Sequence, residues 1–403
     1  MTKLNLPMHT LALRRGNGKI LRRLAGLAPL TLACMVASAG PALAVSEKLP
    51  WGQSSDMAAW QTFTQAVAPS GNPANHKVEF ETWADDQDTY TAQPLFPEPG
   101  APKVLQPSRA VPGGGPHSLT VTPDRCFKPL DAQAGNFPPT GCIGEEVRRN
   151  FAAFQYIVSN GLFSTAGLAR AWKAHLKVDL PADAITFKGD WVRLADLIAW
   201  IKRADGVTVT PEFVHNNYYV ATATSGGVTD EFALVGFHFM SKQIKAKVWS
   251  DFEHRLNPGR CDTIGCHDDF GAVEADVQPK ASPNRNYGPC DKTPALKAMM
   301  RAAGLSPVWE NYCLKGTEIG FVQPDGTPRL LGNSVIERIN SKSPIARSSC
   351  STCHAYASFN QQGKPGLLDF TNNALPIGKV NEERLKGYVL NDSIWGIANL
   401  PTR

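Results

Sequence analysis

The chain has 403 residues, of which 42% are hydrophobic, 19% charged and 9% aromatic, with a formal charge of +5. That length holds two domains or one large one, and the composition excludes a disordered, collagen-like or multi-span membrane chain. The positive charge sits at one end. Residues 1–44 carry six basic side chains and no acid, so without them the formal charge is −1, and nothing in the charge points to nucleic acid or anionic lipid.

Lys3, Arg14, Arg15, Lys19, Arg22 and Arg23 lead into an apolar, small-residue run over 24–44 that ends Ala42-Leu43-Ala44. A basic start, an apolar middle and a small-residue end predict a secretory signal peptide over residues 1–44, cut after Ala44. Gly26, Pro29, Gly40 and Pro41 interrupt the run, which is short for a bilayer span. The expectation is a periplasmic protein with no transmembrane segment after cleavage.

Residues 45–117 are rich in Pro and Gly, including the run Gly113-Gly114-Gly115, and read as an extended N-terminal segment. Trp60, Phe63 and Val67 recur at helical spacing and predict one helix over 57–67. Residues 118–270 read as an α+β domain. Helical patterning runs over 145–176, divided near Gly161 and Gly167, and is followed by strand-like stretches 184–192, 212–222 and 231–240. Ser225-Gly226-Gly227 between the last two predicts a hairpin. Residues 241–254 have a helical pattern. Residues 271–403 read as a mostly helical haem-binding region, with a helix over 293–303 stopped near Gly304 and an extended stretch over 308–321. The fold class is therefore α+β, mixing helices with antiparallel strands.

Removal of Cys34 with the signal leaves eight cysteines, an even number in an exported chain. Cys350-Ser351-Thr352-Cys353-His354 is a C-x-x-C-H, the attachment signature of c-type haem. Two thiols with a short spacer add to the two vinyl groups of the porphyrin, and the adjacent histidine reaches the iron as proximal ligand. A disulfide between Cys350 and Cys353 beside an incidental histidine is the alternative. Cys261-Asp262-Thr263-Ile264-Gly265-Cys266-His267 is a looser C-x4-C-H. It allows a local disulfide, a second haem at Cys261, Cys266 and His267, or a metal site from those residues with Asp268. Cys126 with Cys142 and Cys290 with Cys313 read as local disulfides.

No Met or His follows His354, so any sixth iron ligand comes from upstream. The candidates are His76, His117, His175, His215, His238, Met240, His254, Met299 and Met300. His254 is preferred, with Trp249 and Phe252 as walls of a haem face and Glu253 orienting a ring nitrogen. Iron bound on both sides suits an electron carrier, whereas an open site suits a catalyst or a gas binder.

Val248-Trp249-Ser250-Asp251-Phe252-Glu253-His254 with Asn257-Pro258, Val308-Trp309-Glu310-Asn311-Tyr312-Cys313-Leu314-Lys315-Gly316-Thr317, Leu331-Gly332-Asn333-Ser334, and Ser348-Ser349 with the motif that follows resemble patches in a group of largely uncharacterised bacterial exported cytochrome c proteins. The resemblance covers roughly residues 180–360 in those patches only. It implies one covalent haem at Cys350, Cys353 and His354 and a periplasmic address, and it supplies no reaction. The expected function is single-electron transfer to or from a redox partner protein, with a peroxidase-like haem oxidoreductase as the alternative, His254 or Glu253 then serving as distal acid–base.

Overall fold

The computed structural model describes residues 49, 52–71, 77–107, 143–243, 247–257, 259–279, 287–337, 347–366 and 376–399. The expected signal peptide, the Cys126–Cys142 pair, His76 and His117 lie outside them.

Helix α1 (Ser55–Ala66) starts where the Ser54 hydroxyl accepts from the Met57 amide, and it buries Trp60 and Phe63. A single turn, α2 (Asp86–Thr89), precedes strand β1 (Lys103–Pro107). Strand β2 (Ile143–Arg149) leads into α3 (Phe151–Ser159) and α4 (Thr165–Lys173). Then come β3 (Ile185–Arg193), α5 (Leu194–Asp205), α6 (Pro211–Asn217), β4 (Val220–Ser225) and β5 (Val228–Ser241). Strand β6 (Val248–His254), the short pair β7 (Cys266–His267) and β8 (Asp276–Val277), α7 (Pro294–Ala302) and β9 (Tyr312–Glu318) follow. Beyond β9 lie a motif helix, Cys350–Ala355, the pair β10 (Ser358–Phe359) and β11 (Val389–Leu390), and a C-terminal helix, Trp395–Asn399. The architecture is mixed α+β, and the described part of 271–403 interleaves strands with short helices. Among the described residues no helix is long and apolar enough to cross a membrane.

Among the described residues seven strands form one sheet in the order β3-β2-β1-β4-β5-β6-β9. Because β3 also pairs with the long strand β5, the first five close into a ring, and β6 and β9 extend it along the C-terminal half of β5. The sheet takes β1 from the N-terminal segment and β9 from beyond residue 271, so the boundary expected at 270 does not divide it. Leu105, Phe187, Trp191, Ala223, Phe232 and Leu234 face the inside with Phe80, and Trp60, Phe63, Phe237, Phe252 and Leu314 continue this core under β6 and β9. The inside also holds ions. Glu146 accepts from Lys103, from Arg148 and from Trp191, so these buried charges are paired.

A bulge decides which residues of β5 face outward. Asp190 pairs with Gly236 but Trp191 pairs with Leu234, which leaves Val235 as an extra residue. Before it, Phe232 and Leu234 face the core; after it, Phe237 and Phe239 do, and Gly236, His238 and Met240 turn to the opposite face. A Cβ at Gly236 would lie 2.9 Å from the Asn333 side chain, so glycine is required where Asn333 docks.

Several sequence expectations hold: α1, the Thr293-capped α7 stopped at Gly304, and the β4–β5 hairpin, whose Gly226 and Gly227 adopt φ of 58° and 80°. Others are corrected. Residues 143–149 are a strand because the inward positions Glu146 and Arg148 are polar and paired, which hides the alternation. Residues 211–217 form a helix with Pro211 at its first position and the Thr210 hydroxyl accepting from the Phe213 amide. Residues 248–254 are a strand, not a helix. All seven are buried because both faces of β6 are covered, and such a strand shows no period of two.

Candidate functional site

The motif helix is set against the end of β9. The Ser349 hydroxyl accepts from the Thr352 amide at 3.2 Å and donates to Glu318 at 2.7 Å, while the Ser351 amide donates to the other Glu318 oxygen at 2.8 Å. One turn of helix brings Cys350, Cys353 and His354 to one side of it. Both cysteines are free thiols, and burial with nearby Glu337 pushes Cys353 up to about 12 and Cys350 upward as well.

His354 is held by a turn far along the chain. Its Nδ1 lies 2.8 Å from the Ser393 carbonyl oxygen. A carbonyl only accepts, so Nδ1 carries the proton. Burial lowers the imidazole to about 4, which keeps the ring neutral at physiological pH. Nε2 therefore keeps its lone pair, the form a metal ligand needs. The Ser393 turn is built under strain: Asp392 and Ser393 have φ of 53° and 75°. Asp392 is fixed by Lys242 at 3.0 Å, Lys247 at 2.8 Å and the Leu180 amide at 2.7 Å.

The outward face of the sheet supplies the other wall. Trp249 rests against His354 with ring centres 4.3 Å apart, and the His238 ring centre lies 6.5 Å from His354 at 90°. His238 pairs across the sheet with Lys188 of β3 and Asp251 of β6. One ligand atom each of His238, Asp251 and Cys350 falls within 4.8 Å of the others. Among the described residues His238 Nδ1, Asp251 Oδ2 and both oxygens of Asp190 are buried without a hydrogen-bond partner. Burial drives Asp190 and Asp251 well above the ordinary carboxylate range and His238 well below the usual imidazole value.

His254 is elsewhere. Along β6, Trp249, Asp251 and Glu253 share the motif face, and Ser250, Phe252 and His254 share the core face. His254 is fully buried, stacked on Tyr218 at 3.5 Å, with Nε2 bonded to the Asn217 carbonyl and Nδ1 accepting from the Leu256 amide. Both ring nitrogens are used in the fold. Glu253 does not orient that ring; it binds Lys315 at 3.1 Å and the Ser334 amide at 2.7 Å. Of the proposed walls, Trp249 reaches His354 and Phe252 belongs to the core. Met240 shares the face and the apolar cluster of Trp249 and Cys350, whereas Met299 and Met300 pack on the other core, His215 is paired with Glu231, and His175 sits beside Trp172.

Cys261 is bonded to Cys266, with Cα atoms 5.2 Å apart, and Cys290 to Cys313, 6.0 Å apart. The bonded pair Cys261–Cys266 has no thiol to offer a second haem or a metal. Asp268 accepts from Trp60 and from the Gly271 amide, and is taken up by those bonds.

The residues present fit a c-type haem. Among the described cysteines only Cys350 and Cys353 remain thiols, the adjacent imidazole is neutral with its Nε2 lone pair free, and a buried histidine with an unpartnered nitrogen faces it. A sequence signal for His238 existed, an isolated histidine within the apolar run 232–240, but the bulge that turns it outward left no mark. No protein-family model, curated protein or solved structure matches the chain.

Proposed function

We propose that this chain is an exported c-type cytochrome that passes single electrons between redox partner proteins in the periplasm. The observation that carries this reading is the pair of free thiols beside a histidine whose Nδ1–H is committed to the Ser393 carbonyl. Bound there, a haem supplies one-electron chemistry at its iron. Cys350 and Cys353 would tether it and His354 would offer Nε2, Trp249 packs against the His354 ring, and His238, in place of the His254 expected from the sequence, would supply the second iron ligand. With both histidines as ligands the iron would be closed to exchange, which would suit electron transfer without bound substrate.

The test is spectroscopic. Intact mass of the purified protein is expected to show one haem, lost in Cys350→Ser with Cys353→Ser. Low-spin iron in both oxidation states is expected, converted to high-spin by His238→Ala and unchanged by His254→Ala. A chain without covalent haem sinks the cytochrome, and a His238→Ala spectrum identical to wild type sinks the ligand assignment.

A second reading has its own support. Asp190 and Asp251 put buried carboxyl groups, held protonated toward neutral pH, on the face that carries His238. Groups of this kind exchange protons in a haem oxidoreductase. High-spin iron that binds CO readily in the wild type favours that reading over the carrier.

A further inference from the structure

A second cluster of ionisable groups lies at the start of α1. Asp56 is in the first turn of α1, His267 in β7 and Asp269 two residues later. One ligand atom of each falls within 4.8 Å of the others. Asp56 and His267 are 0% and 8% exposed, and Asp269 is open to solvent.

The imidazole in this cluster is preset for a cation. His267 Nδ1 lies 2.7 Å from Asp276 Oδ1, its register partner in the β7–β8 pair. A carboxylate only accepts, so Nδ1 carries the proton, and Nε2 is the ring atom turned inward. That Nε2 is buried, has no hydrogen-bond partner among the described residues, and lies 3.6 Å from Asp56 Oδ2. A cation seated between Nε2 and Asp56 Oδ2 would give both atoms a partner. A carboxylate that holds the far nitrogen of an imidazole is the usual outer support of a metal-bound histidine. Asp56 is itself oriented, with Thr317 donating to Oδ1 at 2.7 Å and the Asp269 amide to Oδ2 at 3.0 Å.

We propose that Asp56, His267 and Asp269 bind one divalent transition-metal ion, of which zinc is the representative. The donor set is one imidazole nitrogen and two carboxylates, with Asp276 as outer support and water completing the shell on the Asp269 side. Calcium is disfavoured because it takes oxygen ligands, whereas imidazole suits zinc and its neighbours. The site would clamp the start of α1 to the loop closed by Cys261–Cys266, joining residues more than 200 positions apart. It is independent of the haem reading, since its three ligands lie outside the motif helix and the turn that holds His354.

The test uses the full-length exported protein, stripped with chelator and titrated with ZnCl2 by calorimetry, with zinc and iron counted separately by elemental analysis. One zinc per chain and a rise in melting temperature on zinc addition are expected. Asp269→Asn, at an exposed position that leaves folding intact, is expected to weaken zinc binding tenfold or more, and Asp276→Asn by a similar factor through loss of the outer support. Absence of zinc uptake, tighter binding of calcium than zinc, or unchanged affinity in Asp269→Asn would each overturn the site. Because zinc and iron are counted apart, failure of this site and failure of the haem are distinguishable.

Discussion

Glu318 is the residue that fastens the motif helix to the sheet, and it does so as a buried acid. Loss of solvent raises its carboxyl to about 8, against the lowering effect of its bonds from Ser349 and Ser351. Between the ordinary glutamate value and that raised value, the unfolded chain is ionised at this position while the folded chain keeps its proton. Folding stability therefore falls as pH rises through this window, by up to about 4 kcal/mol between roughly pH 5 and 8. Glu318→Gln keeps a neutral side chain of the same shape at every pH. Its melting temperature is expected to gain on wild type over that same rise in pH, measured by circular dichroism in one buffer series. A constant difference across the series would mean that Glu318 is already ionised in the folded protein.

At the scale of an element, the turn around Asp392 and Ser393 matters most, because one backbone carbonyl sets the tautomer of His354. Both residues occupy left-handed backbone, which costs a side-chain-bearing residue about 1–2 kcal/mol. Ser393→Gly relieves that cost and leaves the carbonyl in place, so it is expected to add about 1 kcal/mol in urea unfolding with no change at His354. Asp392→Ala has the opposite sign. It leaves Lys247 without its carboxylate, Lys242 with Asp179 alone and the Leu180 amide without an acceptor, at a cost of about 3 kcal/mol. If Asp392→Ala is as stable as wild type, the ion pairs do not hold the turn. The hairpin β4–β5 shows the contrast in legibility. Its Gly226-Gly227 was plain in the sequence because positive φ demands glycine, whereas Asp392 and Ser393 take positive φ without one, at a turn whose Asp392 carboxylate is bonded to Lys242, Lys247 and the Leu180 amide from far along the chain.

Across the whole molecule, the sheet separates two environments. One face is the aromatic core of Trp60, Phe63, Phe237 and Phe252, with Phe237 and Phe252 stacked at 5.3 Å. The other carries His238, Trp249, Asp251 and Glu318 beneath the motif helix. Phe252→Ala empties space in the aromatic core and is expected to cost about 3–5 kcal/mol. Since its side chain points away from the motif, the visible spectrum of the haem proposed there should not change. A spectral change equal to that of a motif-face variant would show that the two faces are coupled. The same separation explains why His254 was a reasonable expectation and is misplaced. On a helix, residues three apart are neighbours and His254 would have stood beside Asp251. On strand β6, alternation puts Asp251 on the motif face and sends His254 with Ser250 and Phe252 into the core.

The C-x-x-C-H spacing, helices α1 and α7 and the β4–β5 hairpin were determined by the sequence alone, and Cys290–Cys313 was expected from it as a local pair. Each depends on residues close together in the chain, where spacing, capping and turn chemistry act directly. Cys261 and Cys266 were left open between a disulfide, a haem and a metal until the structure joined them. Which histidine faces His354 was decided only by the tertiary structure, through a one-residue bulge at Val235 that reverses the faces of β5. So was the meeting of Asp56 with His267 and Asp269, because contacts across such separations depend on how strands pair and which side of the sheet a helix covers.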